Sequence, residues 1–189
     1  MPRTPTTNEP QPITNPFKII VDSREQAPYH FTGITDDKTG RTIIIPTEIH
    51  GLRSGDYTIS GLEDQVAIER KSHSDFLGSI GAGRERFQRE MERLQEMKYA
   101  AVVIEADWRN IIELPPSNSQ VSPKTATRTM LSWSIRYGVH FWTCMNRRHG
   151  ELITFRLMER YWKIRMESEV EDTEKSEAEV DVLDGVEFA

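Results

Sequence analysis

Gly55-Asp56-Tyr57-Thr58-Ile59-Ser60-Gly61-Leu62-Glu63-Asp64-Gln65-Val66-Ala67-Ile68-Glu69-Arg70-Lys71 is the stretch on which the fold turns. Two alternating runs, Asp56 to Ser60 and Gln65 to Arg70, flank the polar turn Gly61 to Asp64, the pattern of a β-hairpin. Centred on that turn, Asp56 faces Glu69, Tyr57 faces Ile68 and Ile59 faces Val66. One side is then wholly apolar, while Asp56, Thr58, Glu69 and Lys71 share the other. Opposed residues hold their Cβ atoms about 5 Å apart. Two carboxylates at that distance repel unless a cation lies between them, and a hard divalent ion with oxygen ligands is the usual solution.

Outward from the hairpin, more acids and cations join in sequence. Val21-Asp22-Ser23-Arg24-Glu25 closes an upstream apolar run, and Lys71-Ser72-His73-Ser74-Asp75 follows directly. Asp22 can equally end a strand, and Arg24 with Glu25 can form a surface ion pair. Ser72 to Asp75 is also a capping box, so Asp75 can serve the helix start. Arg70 alternates to the opposite face from Glu69 and Lys71, where its side chain braces rather than touches substrate.

The remaining pattern describes an α/β chain. Phe17 to Asp22 and Thr42 to Thr47 read as strands, Ser72 as a helix start, and Arg84 to Lys98 as a helix with Phe87, Met91 and Leu94 on one stripe. That stripe leaves Arg84, Arg86, Arg89 and Arg93 to other faces, where nucleic-acid contact competes with simple solvation. Ala100 to Glu105 reads as a buried strand. Ser122-Pro123 opens a helix that Gly138 stops, with Ala126, Met130, Trp133 and Tyr137 at helical spacing. Val139 to Cys144 is a last strand and Glu151 to Arg165 a last helix.

Three parts are expected: a disordered leader (1–16), one domain (17–165) and an acidic disordered tail (166–189). Of 189 residues, 37% are hydrophobic, enough for one core. The net charge of −6 is uneven: residues 166–189 hold ten acids and one lysine, a net of −9, which leaves +3 for residues 1–165. A polyanionic substrate is not repelled by that part. Val180, Val182, Leu183, Val186 and Phe188 interrupt the tail acids, so the tail can solvate, dock on a protein partner or fold back over a basic surface. A single cysteine, Cys144, excludes an internal disulfide framework and suits a reducing compartment, cytoplasmic and nucleoid-associated or nuclear. No apolar run approaches the roughly 18 residues of a membrane span, and the Pro/Thr-rich start lacks a signal-peptide core.

Together these residues resemble the XPF-type structure-specific nucleases. The motifs occur in order: Asp22, Arg24 and Glu25; Gly55 and Asp56; Glu69, Arg70, Lys71 and Asp75; Arg84; Ile104 and Glu105. The resemblance covers roughly residues 17 to 145. It implies a restriction-endonuclease-like α/β fold, a mixed sheet flanked by helices, hydrolysing DNA with Mg2+ or Mn2+ to leave 5′-phosphate and 3′-hydroxyl ends. Asp56, Glu69 and Asp22 would hold metal with the Arg70 carbonyl, and Lys71 would orient and help deprotonate the water. Glu25 and Asp75 would act behind the ligands, and Arg24, Arg84, Arg86 and Arg89 would contact DNA. Branched DNA is the family substrate, although only an acidic segment follows Arg165 where relatives add a tandem helix-hairpin-helix domain, which leaves homodimer formation open. A catalytically idle DNA-binding subunit and a defence or mobile-element nuclease are the competing functions.

Overall fold

A computed structural model describes residues 10–113 and 120–184, with side chains as far as Glu171. In chain order the elements are β1 (Ile13–Thr14), β2 (Ile19–Asp22), β3 (Ile43–Ile44), β4 (Thr47–His50), β5 (Tyr57–Ile59), β6 (Val66–Ser72), α1 (His73–Ile80), α2 (Arg84–Leu94), β7 (Tyr99–Glu105), α3 (Trp108–Ile112), α4 (Pro123–Tyr137), β8 (His140–Thr143) and α5 (Arg147–Asp184).

Six strands form one mixed sheet in the order β4-β2-β5-β6-β7-β8. β2 runs antiparallel to β5 and β5 antiparallel to β6, so β2 and β6 point the same way, and β7 and β8 continue parallel to β6. One consequence governs the site. Asp22, Lys71 and Glu105, at or near the ends of β2, β6 and β7, arrive at the same edge of the sheet, where β5 begins beside Asp56. The hairpin register is the expected one, with Tyr57 opposite Ile68.

Each face of the sheet carries its own core. Ala67, Val102 and Ile104 pack beneath α1, α2 and α4, against Phe76, Phe87, Met91, Met130 and Trp133. Tyr57, Ile59, Val66, Ile68 and Val103 pack on the other side against Phe31, Phe155 and Met158, under α5. The hairpin face expected to be polar is therefore covered. Thr58 is 1% exposed and donates its hydroxyl to the Val66 carbonyl at 2.5 Å. Burial of Asp56 and Glu69 on that face follows from the helices above them.

Several boundaries differ from the sequence reading. Within the expected leader, residues 1–9 lie outside the described residues, but Ile13–Thr14 forms β1 beside β3, and Asn15 is buried with its amide on the Phe17 carbonyl. Two β-branched residues found a strand partner there. The strand expected over Thr42 to Thr47 is split at Pro46, between β3 in a two-stranded sheet and β4 in the main one. Helix α2 stops at Leu94 rather than Lys98. Helix α5 begins four residues early and passes Arg165 without a break, supported there by Arg165–Glu169 at 2.6 Å. Arg165 is thus not a structural boundary, and the tail side chains beyond Glu171 lie outside the described residues. The short α3, capped by the Asp107 carboxylate on the Asn110 N–H at 2.8 Å, was not foreseen. Among the described residues, no helix is long and apolar enough to cross a membrane.

Candidate active site

Gly55 sets the geometry. Its φ of +74° is left-handed, and a Cβ there would lie 3.2 Å from the Ala67 Cβ and the Ile68 carbonyl oxygen, so glycine lets the chain turn tightly against β6. Asp56 then enters beside β6, its N–H on the Ile68 carbonyl and its Oδ2 accepting the Arg70 N–H at 2.7 Å. Glu69 stands next to it, and Lys71 Nζ donates to Glu69 Oε1 at 2.5 Å while lying 5.2 Å from the centre of the Phe87 ring.

The electrostatics are unbalanced here. Burial, then the charge of Glu69, pushes the Asp56 carboxyl up to about 8. Burial also raises Glu69, against the pull of Lys71. Burial alone would lower Lys71, but the Glu69 carboxylate, with Asp56 and Asp75, overrides it and holds the group above its ordinary value. Lys71 is therefore an ammonium at neutral pH. It can donate and neutralise charge, whereas the role of helping to deprotonate water expected from sequence needs the amine.

Asp22, buried at the end of β2, is clasped by Arg24: Nε lies 3.0 Å from Oδ2 and Nη2 2.5 Å from it, and the Arg24 N–H reaches Oδ1 at 3.0 Å. Burial would raise this carboxyl, but the Arg24 hydrogen bonds and charge leave it lowered and ionised. Glu25 reaches the Ala27 N–H at 2.6 Å and lies 3.4 Å from Arg70 Nη1. Asp75 is exposed and takes the Ser72 hydroxyl at 2.6 Å, so it serves the start of α1 at the rim of the site.

A cleft of about 320 Å³ opens over this group and is lined by Asp22, Arg24, Glu25, Asp56, Glu69, Lys71, Arg86, Glu90 and Arg93. Glu90 was missed in the sequence. It accepts the Gly55 N–H at 3.3 Å and pairs with Arg93. Its signal was its spacing, since Arg86, Glu90 and Arg93 follow one another at four and three residues, one position ahead of the buried stripe. The four expected arginines separate: Arg24 and Arg86 line the cleft, Arg84 turns away toward α4, and Arg89 is exposed outside it.

The next residue along β6 enters a different environment. Arg70 makes two 2.8 Å bonds to the Glu105 carboxylate, which also takes the Tyr29 hydroxyl at 2.9 Å and meets Arg147 at 3.4 Å. Arg147 in turn donates to the Ala27 and Pro28 carbonyls. This network pins the loop after Glu25 to the sheet. Tyr29 and Arg147 carried no sequence signal.

The donor chemistry suits a hard divalent cation. Asp56 and Glu69 supply carboxylate oxygens side by side, and among the described residues no hydrogen bond reaches Asp56 Oδ1 or Glu69 Oε2. No three His, Cys, Asp or Glu side chains among the described residues form a ready-made cage; Arg24 pairs with Asp22 and Lys71 with Glu69. The metal would be held by Asp56, Glu69 and the Arg70 carbonyl, with Asp22 and Glu90 adjoining.

The mixed sheet flanked by helices, with acidic and basic side chains gathered at the ends of β2, β6 and β7, has the restriction-endonuclease-like fold of solved XPF structures. The match to the ERCC4 domain spans residues 21–155, and the chain belongs to that family, the family of XPF-type nuclease domains. Among solved structures it is similar to XPF from Aeropyrum pernix, with TM-score 0.57 and 21% identity over 76% of this chain and 61% of that one. XPF from Aeropyrum pernix in complex with DNA gives TM-score 0.57 and 20% identity over 78% and 66%. At such identities the likeness speaks for the fold, and the chain spans just under two thirds of those structures at most. No curated protein matches the chain.

Proposed function

We propose that the chain is a Mg2+- or Mn2+-dependent DNA endonuclease, hydrolysing phosphodiester bonds in branched or flap DNA during repair or recombination. The observation that carries the reading is the juxtaposition of half-buried Asp56, buried Glu69 and the Lys71 ammonium in a cleft where acids slightly outnumber the cations Arg24, Lys71, Arg86 and Arg93. When bound, the cation polarises the phosphoryl group and makes an attacking water usable at neutral pH. Lys71 neutralises the negative charge that grows on the non-bridging oxygens, a charge-stabilising role. Arg24 and Arg86 face the strand being cut and steer its phosphates into the cleft. Glu90 fixes Gly55 and thereby Asp56. The Arg70–Glu105 network holds the edge rigid, which keeps these groups in register. A protein partner for the acidic tail, a homodimer, and a cytoplasmic, nucleoid-associated or nuclear setting belong to the same reading.

Labelled flap, nicked, four-way and linear DNAs with matching RNAs, incubated with Mg2+ and with Mn2+, test this. Preferential, metal-dependent cutting of branched DNA supports it. Binding without cutting would make the chain an idle scaffold subunit, and cutting of RNA or of any linear duplex would favour a defence or mobile-element nuclease.

A further inference from the structure

Many cations among the described residues are neutralised by neighbouring carboxylates: Arg53 by Glu96, Arg109 by Glu113, Arg156 by Asp37 and Glu159, Arg165 by Glu169. Where α2 begins beside α4, unpaired cations stand together with hydroxyls. No ion pair among the described residues reaches Arg84, Lys124 or Arg128; Arg84 and Arg128 line one groove there, and Lys124 lies one helical turn before Arg128 on α4. Between Glu113 and Glu151 the sequence has no acid at all, while Lys124, Arg128, Arg136, Arg147 and Arg148 fall inside that interval. Arg84 is ordered without a carboxylate: its guanidinium lies 4.9 Å from the centre of the Trp133 ring and donates to Thr129 Oγ1 at 3.1 Å and to the Ile80 carbonyl at 3.3 Å. An arginine fork held over an indole and by two hydrogen bonds is prepared for an anion at small entropic cost.

The surface around it has the matching chemistry. Thr125, Arg128, Thr129 and Ser132 follow one another along α4 at three, four and seven residues, so they share one face, and with Ile80 and Arg84 they line a groove. Hydroxyls and guanidinium groups in a row, with one aliphatic side chain, suit a line of phosphate oxygens better than an apolar peptide anchor. The groove also lies next to the cleft. Gly78, Ser79, Gly83 and Arg86 border the active-site side, whereas Ile80 and Arg84 border the groove, so the start of α2 divides the two and sends an arginine to each.

We propose that this groove binds the phosphodiester backbone of the duplex DNA arm flanking the cut, a second backbone site beyond the catalytic cleft. The inference rests on the nuclease reading above. A duplex whose reacting phosphate lies at Asp56 and Lys71 crosses the first turn of α2, and its further phosphates meet Arg84, Arg128 and Lys124. These contacts are indifferent to base sequence and sensitive to salt.

The test uses the full chain carrying Asp56→Asn, to silence cutting, and measures affinity by fluorescence anisotropy across a salt series. Two duplexes are compared, one covering the cleft alone and one about two helical turns longer. Arg128→Glu and Lys124→Glu, both at exposed positions, should each weaken the longer duplex about tenfold at low salt and reduce the slope of log affinity against log salt by about one, leaving the short duplex nearly unchanged. Arg84→Lys, which keeps the charge but loses the flat fork, should fall between them and the parent. Arg160→Glu on α5 makes the same charge change under the opposite face of the sheet and should do little. Equal effects on both duplexes, or an equal loss from Arg160→Glu, would overturn the groove. If the wild-type chain cuts DNA and the Asp56→Asn parent binds it but the groove variants match that parent, the groove alone is refuted. If the wild-type chain does not cut DNA and the Asp56→Asn parent does not bind it, the nuclease reading falls and the groove with it.

Discussion

Glu69, Arg70 and Lys71 are consecutive, yet alternation along β6 sends them to two sites with opposite electrostatic character. On the α5 side Arg70 is met by Glu105, Glu25, Tyr29 and Arg147 through an interlocking set of hydrogen bonds and charges. On the α2 side Asp56 and Glu69 press against each other with Lys71 as their only close ammonium, and burial drives Asp56 up to about 8. The first site is satisfied and holds the sheet edge in place. The second lacks positive charge, and a cation is what would complete it. The satisfied side keeps the unsatisfied one from relaxing.

The sharpest way to break this contrast is to remove cleft charge at constant volume. Asp56→Asn and Glu69→Gln should each abolish metal-dependent DNA cleavage in a gel assay while leaving circular dichroism unchanged, and DNA binding should hold or tighten. Cutting at the wild-type rate by either variant would remove the pair from the site. Lys71→Met keeps the stem and deletes the ammonium, so single-turnover rates should fall on the order of 10²-fold with DNA affinity little altered.

Changes on the satisfied side should appear in stability first. Arg70→Met removes the two 2.8 Å bonds to Glu105 and leaves that carboxylate only the Tyr29 hydroxyl and the longer Arg147 contact, which should cost about 3 kcal/mol in urea unfolding. Asp56→Asn should instead leave stability unchanged or raise it. The pH dependence follows with a definite sign: Asp56 ionises near 3.8 when unfolded and near 8 when folded, so the folded state binds the extra proton between those values. Stability should therefore decline as pH rises from about 4 to 8, by at most about 1.4 kcal/mol per unit from this group, and Asp56→Asn should flatten the decline. A parallel decline in the variant would place the proton elsewhere.

The smallest expected effect concerns the acidic end. Because α5 packs on the opposite face of the sheet from the cleft, cutting the chain after Glu171 should change DNA affinity at physiological salt by less than about twofold. A large, salt-sensitive tightening would instead mean that the tail folds back over the basic surface.

The opposition of Asp56 and Glu69, and the opposite heading of Arg70, were legible because strand alternation is a strict period and the hairpin turn set the register. Helices α1 and α4 were legible from Ser72, Ser122-Pro123 and Gly138, whose side chains or left-handed φ cap them as read. Glu90 was harder, since a carboxylate among arginines on a helix looks like a solvated face until the sheet beneath it is known. Tyr29 and Arg147 are 118 residues apart and meet Glu105 only through tertiary folding, which no local pattern encodes. Arg84 was expected among the DNA-contacting arginines; Trp133 and Thr129 hold it at the groove beside α4 rather than in the cleft.

The central claim is that the cleft, and not the neighbouring network, takes the divalent cation. Thermal unfolding with and without Mn2+ tests it directly, since a ligand bound only by the folded state raises the midpoint. The wild-type chain and Glu105→Gln should both rise on adding Mn2+, the latter from a lower starting point, while Asp56→Asn and Glu69→Gln should show little or no rise. Equal rises in the two cleft variants and the wild type would contradict the account.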